Sequence, residues 1–395
     1  MLYTPEGFEP LVDEPWDEQR VRAAIRAIVA DTDEAYDHER LWPANEWDAW
    51  KQPVPLKDLY AGAAGVVWAL EVLRRGGFAE PRTDLTAALG RALELFRAEP
   101  GFMEDIELPS TPDASLLCGE AGILLVACRI APSADRADSL FELVRKNVGN
   151  EAQELMWGSP GTMLAAHALH AWTGEERWVD VRRQSAEALI ATRDEDGLWA
   201  QRLHGKTYRF LGPVHGFVGN VDALLLAGGD WSERLKSEAG AVVAREAVGA
   251  DGLANWPAVA GEGLAPNDGV IRLQWCHGSP GMVAAAADYL DEDLLLAGAQ
   301  LTWQVGAHGD EKGHGLCHGT AGNGFALLKT FARTGDELWL ERARRFAVHA
   351  LLQAERRRAE LCTGRYSLFT GDVGTALFAA ACLEADARFP IVDGV

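Results

Sequence analysis

Two short stretches carry the residue types best suited to chemistry: Trp275-Cys276-His277-Gly278 and Gly315-Leu316-Cys317-His318-Gly319. Each sets a Cys-His pair directly before a glycine turn. Two thiolates and one imidazole arriving from separate turns suit a zinc ion, and three protein ligands leave one coordination position open to substrate. Cys276, Cys317 and His318 are therefore the expected metal ligands, with Zn2+ the expected cofactor. Thiolate ligation fixes such an ion and moderates its Lewis acidity, so a bound substrate thiol ionises near neutral pH and stays nucleophilic. The expected chemistry is thiol activation.

Five further groups stand on or close to such turns. His215, in Gly212-Pro213-Val214-His215-Gly216, takes the place directly before a turn glycine that His277 and His318 take in theirs. An imidazole there suits proton transfer to or from a reacting carbon; a helix-start histidine bonded to backbone is the alternative. His277 is either a fourth ligand or, as favoured here, a supporting group of the catalytic set, because its neighbour Cys276 already takes the metal. Lys312 and His314 lie on the loop leading to Cys317, and Lys312 is either a point charge for a substrate carboxylate or a solvated loop lysine. Arg365, upstream of Ser367-Leu368-Phe369-Thr370-Gly371, has the same two readings. The remaining cysteines, Cys118, Cys128, Cys362 and Cys382, occupy apolar stretches and read as small buried hydrophobes.

The elements that must position these groups follow from a recurring pattern. Gly-x-x-Gly opens an apolar helical run seven times: Gly62/Gly65, Gly119/Gly122, Gly158/Gly161, Gly216/Gly219, Gly278/Gly281, Gly319/Gly322 and Gly371/Gly374. Runs such as Ile123-Leu124-Leu125-Val126 are apolar all round and predict buried helices. Between them, Thr83 to Arg97, Arg177 to Arg193 and Glu337 to Ala354 are amphipathic and read as outer helices. Seven inner–outer pairs, none able to bury its apolar face alone, predict an all-α double ring, an (α/α)7 toroid whose closure leaves no exposed end. The spacing between first glycines runs from 39 residues (Gly119 to Gly158) to 62 (Gly216 to Gly278), so loop insertions absorb the difference. Short hairpin edges are expected near residues 197–203 and 252–256. The turns gather at one end of the cavity, and carboxylates on them are limited to Glu120 and Asp372 in this reading.

Length and composition set bounds. The 395 residues are expected to form one unit, with 1–55 as an amino-terminal extension plus the first outer helix. A net charge of -22 argues against nucleic acid and anionic membranes as partners. The acidic, proline-bearing start is unlike a signal peptide, and no apolar run reaches the roughly 20 residues that span a bilayer, so a cytoplasmic location without a membrane span is expected.

At these residues the chain resembles the LanC-like family, the lanthionine synthetase cyclases and their stand-alone relatives, from about Leu59 onward. The likeness is closest to the stand-alone eukaryotic-type branch. It is carried by Ser115-Leu116-Leu117-Cys118-Gly119-Glu120-Ala121-Gly122, Trp275-Cys276-His277-Gly278-Ser279-Pro280-Gly281, Lys312-Gly313-His314-Gly315-Leu316-Cys317-His318-Gly319 and Ala387-Arg388-Phe389-Pro390. The resemblance implies a double ring of helices with one catalytic zinc, and addition of a thiol to dehydroalanine or dehydrobutyrine to give a thioether. In the cyclases the thiol is a cysteine of the same peptide; in stand-alone relatives it is glutathione. It implies that Cys276, Cys317 and His318 hold zinc, that His215 protonates the enolate formed after attack, and that Lys312 contacts the glutathione carboxylate. Partners would be glutathione or another small thiol and a peptide or protein bearing the dehydroamino acid. Many cyclases carry an aspartate where Ser115 stands, which argues against a dedicated cyclase and removes a candidate base. Arg365 aligns approximately with a glutathione-binding arginine, and an amino-terminal arginine contact has no counterpart. A lanthionine-forming cyclase and a non-catalytic zinc- and glutathione-binding protein are the alternatives.

Overall fold

The computed structural model describes residues 1–50, 52–103, 106–266 and 269–394. In chain order its α-helices are α1 (Glu18–Ala35), α2 (Ala63–Arg75), α3 (Leu85–Ala98), α4 (Glu120–Ile130), α5 (Ala134–Lys146), α6 (Ser159–Thr173), α7 (Glu176–Ala191), α8 (Phe217–Ala227), α9 (Ser232–Glu246), α10 (Ser279–Ala285), α11 (Glu292–Val305), α12 (Thr320–Thr334), α13 (Glu337–Leu361) and α14 (Asp372–Glu384). The even-numbered helices form the inner ring: each packs on the next, and α14 packs back on α2, which closes the circle. The odd-numbered helices form the outer layer, most of them seated between two consecutive inner ones. The protein is a helical toroid. Among the described residues no helix is long and apolar enough to cross a membrane.

Sequence explains the two layers. Every residue of α4 from Ala121 to Cys128 is buried, whereas α1 buries only Val21, Ile25, Ile28, Val29 and Thr32, the single stripe of a surface helix. Several outer helices begin with side-chain caps, among them Asp17, Asp84, Ser133, Asp291 and Asp336, which satisfy backbone N–H groups that have no partner within the helix. The inner helices instead all begin with glycine at the cap: Gly62, Gly119, Gly158, Gly216, Gly278, Gly319 and Gly371.

The reason for the second glycine of each pair is steric. A Cβ at Gly65, Gly122, Gly161, Gly219, Gly281, Gly322 or Gly374 would lie between 1.8 and 2.3 Å from the carbonyl oxygen six residues earlier. No side chain fits there, so each turn folds back tightly against the first coil of its own helix.

The turns are also tied to one another. Tyr60 N–H donates to Leu117 O at 2.9 Å, Leu117 to Met156 O at 3.5 Å, Leu155 to Val214 O at 2.9 Å, Cys276 to Cys317 O at 3.3 Å, Cys317 to Phe369 O at 2.7 Å, and Phe369 to Tyr60 O at 3.1 Å. Between Val214 and Cys276 the link is a close approach, since a Cβ on Gly212 would sit 2.0 Å from the Cys276 carbonyl oxygen. The seven turns thus make a continuous rim at one end of the ring. Within the ring, Phe389 stacks on Trp275 at 4.1 Å and meets Phe325 at 4.9 Å between ring centroids.

Both expected hairpins are present, as β2 (Gln201–Leu203) with β3 (Lys206–Tyr208) and β4 (Val248–Ala250) with β5 (Leu253–Asn255). A further pair, β1 (Phe8–Glu9) with β6 (Ala307–His308), ties the amino-terminal segment to the loop before the sixth turn. Two residues on each side are too few to show an alternating pattern. Cys128 and Cys382 are buried as expected, and Cys118 is half-buried. Cys362 corrects the expectation: it is exposed, because it caps the carboxyl end of α13 in a left-handed conformation that turns the chain into solvent.

Gly122→Ala would place a Cβ 2.0 Å from the Leu116 carbonyl oxygen, and a loss of about 3 kcal/mol or more is expected in chemical denaturation. Gly90→Ala, in the open on α3, is the control and should gain roughly 0.5–1 kcal/mol.

Candidate metal centre

Counted back from its first glycine, each turn presents side chains at fixed positions. Four residues back stand Asp58, Ser115, Glu154, Gly212, Gln274, Gly315 and Ser367; two back stand Tyr60, Leu117, Met156, Val214, Cys276, Cys317 and Phe369; one back stand Ala61, Cys118, Trp157, His215, His277, His318 and Thr370. In the first three turns the residue four back caps the turn from within: Asp58 accepts from Ala61 N–H at 2.7 Å, Ser115 from Cys118 N–H at 2.9 Å and Glu154 from Trp157 N–H at 2.5 Å. In the fifth and sixth turns the same register brings Cys276, Cys317 and His318 together.

The sulfurs of Cys276 and Cys317 and a ring nitrogen of His318 all lie within 4.8 Å of one another, and Cys317 Sγ is 3.6 Å from His318 Nε2. A tetrahedral zinc, with Zn–S of ~2.3 Å and Zn–N of ~2.0 Å, sets its donors about 3.5–3.8 Å apart. The triad fits such an ion with little movement. Both cysteines are buried, and their sulfurs are held by neighbours: Gln274 Nε2 donates to Cys276 Sγ at 2.9 Å, and the buried Tyr60 hydroxyl hydrogen-bonds Cys317. Burial opposes ionisation of Cys276, but the hydrogen bond from Cys317 and the adjacent His318 bring it well below the usual thiol range. Burial and the adjacent Cys276 hold Cys317 well above that range. A divalent cation binds such a pair as thiolates, so binding would release the protons the two sulfurs keep.

His215 faces the same space. Its Nδ1 lies 2.8 Å from Oε2 of Glu154, a carboxylate with no exposed surface that also accepts Met156 N–H at 3.1 Å. Burial pulls the imidazole toward neutrality, yet the hydrogen bond and charge of Glu154 outweigh it and raise the His215 pKa above its ordinary 6.5. With Nδ1 engaged, Nε2 is left for chemistry. The His215 and His277 rings lie 6.1 Å apart with Phe210 beside both. His277 is pushed down to about 4, chiefly by burial, and its Nδ1 has no hydrogen-bond partner among the described residues. Gly278 has a φ of 88°, which favours glycine and turns the chain sharply after Cys276-His277.

The other expected groups divide. Lys312 is partly exposed, with Nζ 3.8 Å from Glu311, and its charge favours the Cys317 thiolate. His314 is committed elsewhere: it is buried, its Nδ1 is 2.9 Å from Thr375 Oγ1 and its Nε2 is 3.2 Å from Asp372 Oδ1, while burial and nearby arginines push it down to about 3. Arg365 forms a forked pair with Asp48, at 2.8 Å and 2.5 Å. Three contributors were missed from sequence: Glu154, Gln274 and Tyr60. Asp58 and Glu154 overturn the expectation that turn carboxylates are limited to Glu120 and Asp372. Ser115, for its part, spends its hydroxyl on Met156 O at 2.6 Å. The signal for all three was their fixed count back from a turn glycine.

The family model for "Lanthionine synthetase C-like protein" matches residues 52–393. The chain belongs to the lanthionine synthetase C-like family. Within that family it is 38% identical over 130 residues to the zebrafish (Danio rerio) protein named glutathione S-transferase LANCL1, covering 30% of this chain and 31% of that protein. It is 26% identical over 259 residues to LanC-like protein GCL1 of Arabidopsis thaliana, covering 60% of this chain and 57% of the relative. The matched stretches thus span between about a third and somewhat over half of these relatives. Among solved structures nisin cyclase shares the fold, with a TM-score of 0.60 at 14% identity, covering 92% of this chain and 94% of the cyclase.

Because Glu154 raises the His215 pKa against the effect of burial, Glu154→Gln should drop it below 6.5. In the native protein the value should lie above 6.5, so the stability this pair contributes is full below that pH and fades as pH rises through the folded value. Imidazole NMR titration of both proteins reads the two values.

Proposed function

We propose that this lanthionine synthetase C-like chain is a zinc-dependent enzyme that adds a small thiol, glutathione or a similar molecule, to a dehydroalanine or dehydrobutyrine residue. The observation that carries the reading is the convergence of Cys276, Cys317 and His318 beside a carboxylate-held His215. The printed name of the zebrafish relative supports a thiol-transferring activity.

In this reading Cys276, Cys317 and His318 hold the ion, and the hydrogen bonds from Gln274 and Tyr60 keep the two sulfurs oriented and anionic. Zinc, when bound, supplies the Lewis acidity that ionises a substrate thiol near neutral pH. Lys312 and Arg365 supply positive charge for a substrate carboxylate. The thiol gives up its proton to solvent, the new bond joins its sulfur to the β-carbon of the alkene, and the π electrons move onto the α-carbon and its carbonyl. A proton from His215 Nε2 to the α-carbon then completes the thioether, with Glu154 fixing the ring and favouring its protonated form. His277, neutral and apolar-packed beside them, excludes water from the same face.

Purified protein should carry about one zinc, and Cys276→Ala should lose it, in metal analysis. Incubated with glutathione and a dehydroalanine peptide, native protein should give a thioether whose mass is the sum of both reactants. His215→Ala should keep its zinc and lose roughly 100- to 10,000-fold in rate. Ring closure within a cysteine-bearing peptide, without added thiol, would instead identify a cyclase, and zinc and glutathione binding without product would identify a binding protein.

A further inference from the structure

The seventh turn holds a carboxylate that comes from the chain itself. Asp48, on the loop 43–50, has a side chain only 5% exposed. Its Oδ2 accepts from Arg365 Nε at 2.8 Å and its Oδ1 from an Arg365 terminal nitrogen at 2.5 Å. Thr370 donates its hydroxyl to Oδ1 at 2.8 Å, and the Ser367 hydroxyl reaches Oδ2 at 3.3 Å. A planar guanidinium fork with two hydroxyls around one carboxylate is the arrangement by which proteins recognise carboxylate ligands.

The rest of the loop is placed like a cover. Trp47 is 68% exposed and Trp50 62% exposed, an unusual state for large aromatic side chains. Asn45 and Trp47 roof a cavity of about 130 Å³ whose walls include Arg357, Arg358, Arg365 and Asp372. Asp372 is buried, and among the described residues its Oδ2 accepts no hydrogen bond, with Arg358 Nε 3.8 Å away. The cavity is therefore polar, charged and supplied with an unused acceptor. It also adjoins the metal centre: Phe369, between Ser367 and Thr370, accepts the Cys317 N–H at 2.7 Å and stacks on Tyr60 at 5.1 Å.

We propose that Asp48 is a latch: it fills a carboxylate cradle made by Arg365, Ser367 and Thr370, and it must leave before the carboxylate of an acidic thiol can enter. The inference rests on the reading of the adjacent centre as a thiol-adding site, and it narrows the substrate to thiols that carry a carboxylate. A tethered carboxylate competes at an effective concentration of the order of millimolar, so a dilute acidic thiol has to displace it. A thiol without a carboxylate does not meet that competition.

The test uses the zinc-loaded full chain and S-methylglutathione, which has the carboxylates and no free thiol. A cradle self-occupied about nine-tenths of the time weakens apparent affinity about tenfold, so Asp48→Asn should tighten S-methylglutathione binding by about that factor in calorimetry. Arg365→Lys in the same background should cancel the gain. In turnover, Asp48→Asn should lower KM for glutathione and leave KM for 2-mercaptoethanol unchanged. Should Asp48→Asn fold poorly, hydrogen exchange on the native chain still decides: adding S-methylglutathione should speed exchange across 43–50. Unchanged or weaker binding by a folded variant, equal KM shifts for both thiols, or protection of 43–50 on ligand addition would each overturn the latch. If S-methylglutathione opens the loop but no thioether forms with any thiol, the latch stands and the proposed reaction falls.

Discussion

The structure depends on how closely seven turns approach the helices they start. At each second glycine the carbonyl oxygen six residues back lies where a β-carbon would be. That contact fixes the angle at which an inner helix leaves its turn, and the hydrogen bonds from turn to turn then set the spacing around the rim. Residues at a given count before the first glycine consequently arrive at equivalent points on one circle. Cysteines 41 residues apart in sequence meet because each stands two places before such a glycine.

Electrostatics in the centre follows from burial set against a few chosen partners. Desolvation alone would keep both thiols protonated and His215 neutral. A hydrogen bond between the sulfurs and the charge of His318 reverse this for Cys276; Glu154 reverses it for His215. His277 is pushed down chiefly by burial, and for His314 burial and nearby arginines outweigh the contact with Asp372, so both stay neutral. Three histidines of one rim thus take different protonation behaviour from neighbours rather than from position.

Much of this was legible in the sequence, because glycine periodicity is a backbone signal that survives loops of any length. The inner and outer helices and the convergence of Cys276, Cys317 and His318 follow from it, and both hairpins follow from local strand signals, whereas the long-range pair β1–β6 does not. What escaped were residues whose importance lies in a partner far along the chain. The count back from a turn glycine places Glu154 and Tyr60 on the rim, but it does not pair the one with His215 or the other with Cys317. Arg365 was recognisable as a carboxylate-binding side chain, but its Asp48 partner lies 317 residues away and could not be paired with it by inspection. Cys362 departs from the buried reading because it ends a helix in a left-handed conformation in solvent, among the charged residues 356–365.

The contact of Tyr60 with Phe369 and Cys317 joins the first turn to the last two. On the ribosome, a nascent chain that has passed Tyr60 waits for some three hundred more residues before that partner exists, and until then α2 has only one inner neighbour. Contacts of such long sequence separation slow folding and leave apolar helix faces uncovered during synthesis. A growing chain of this kind is an open arc with a sticky edge, and protection by chaperones is most valuable just before the final turn emerges.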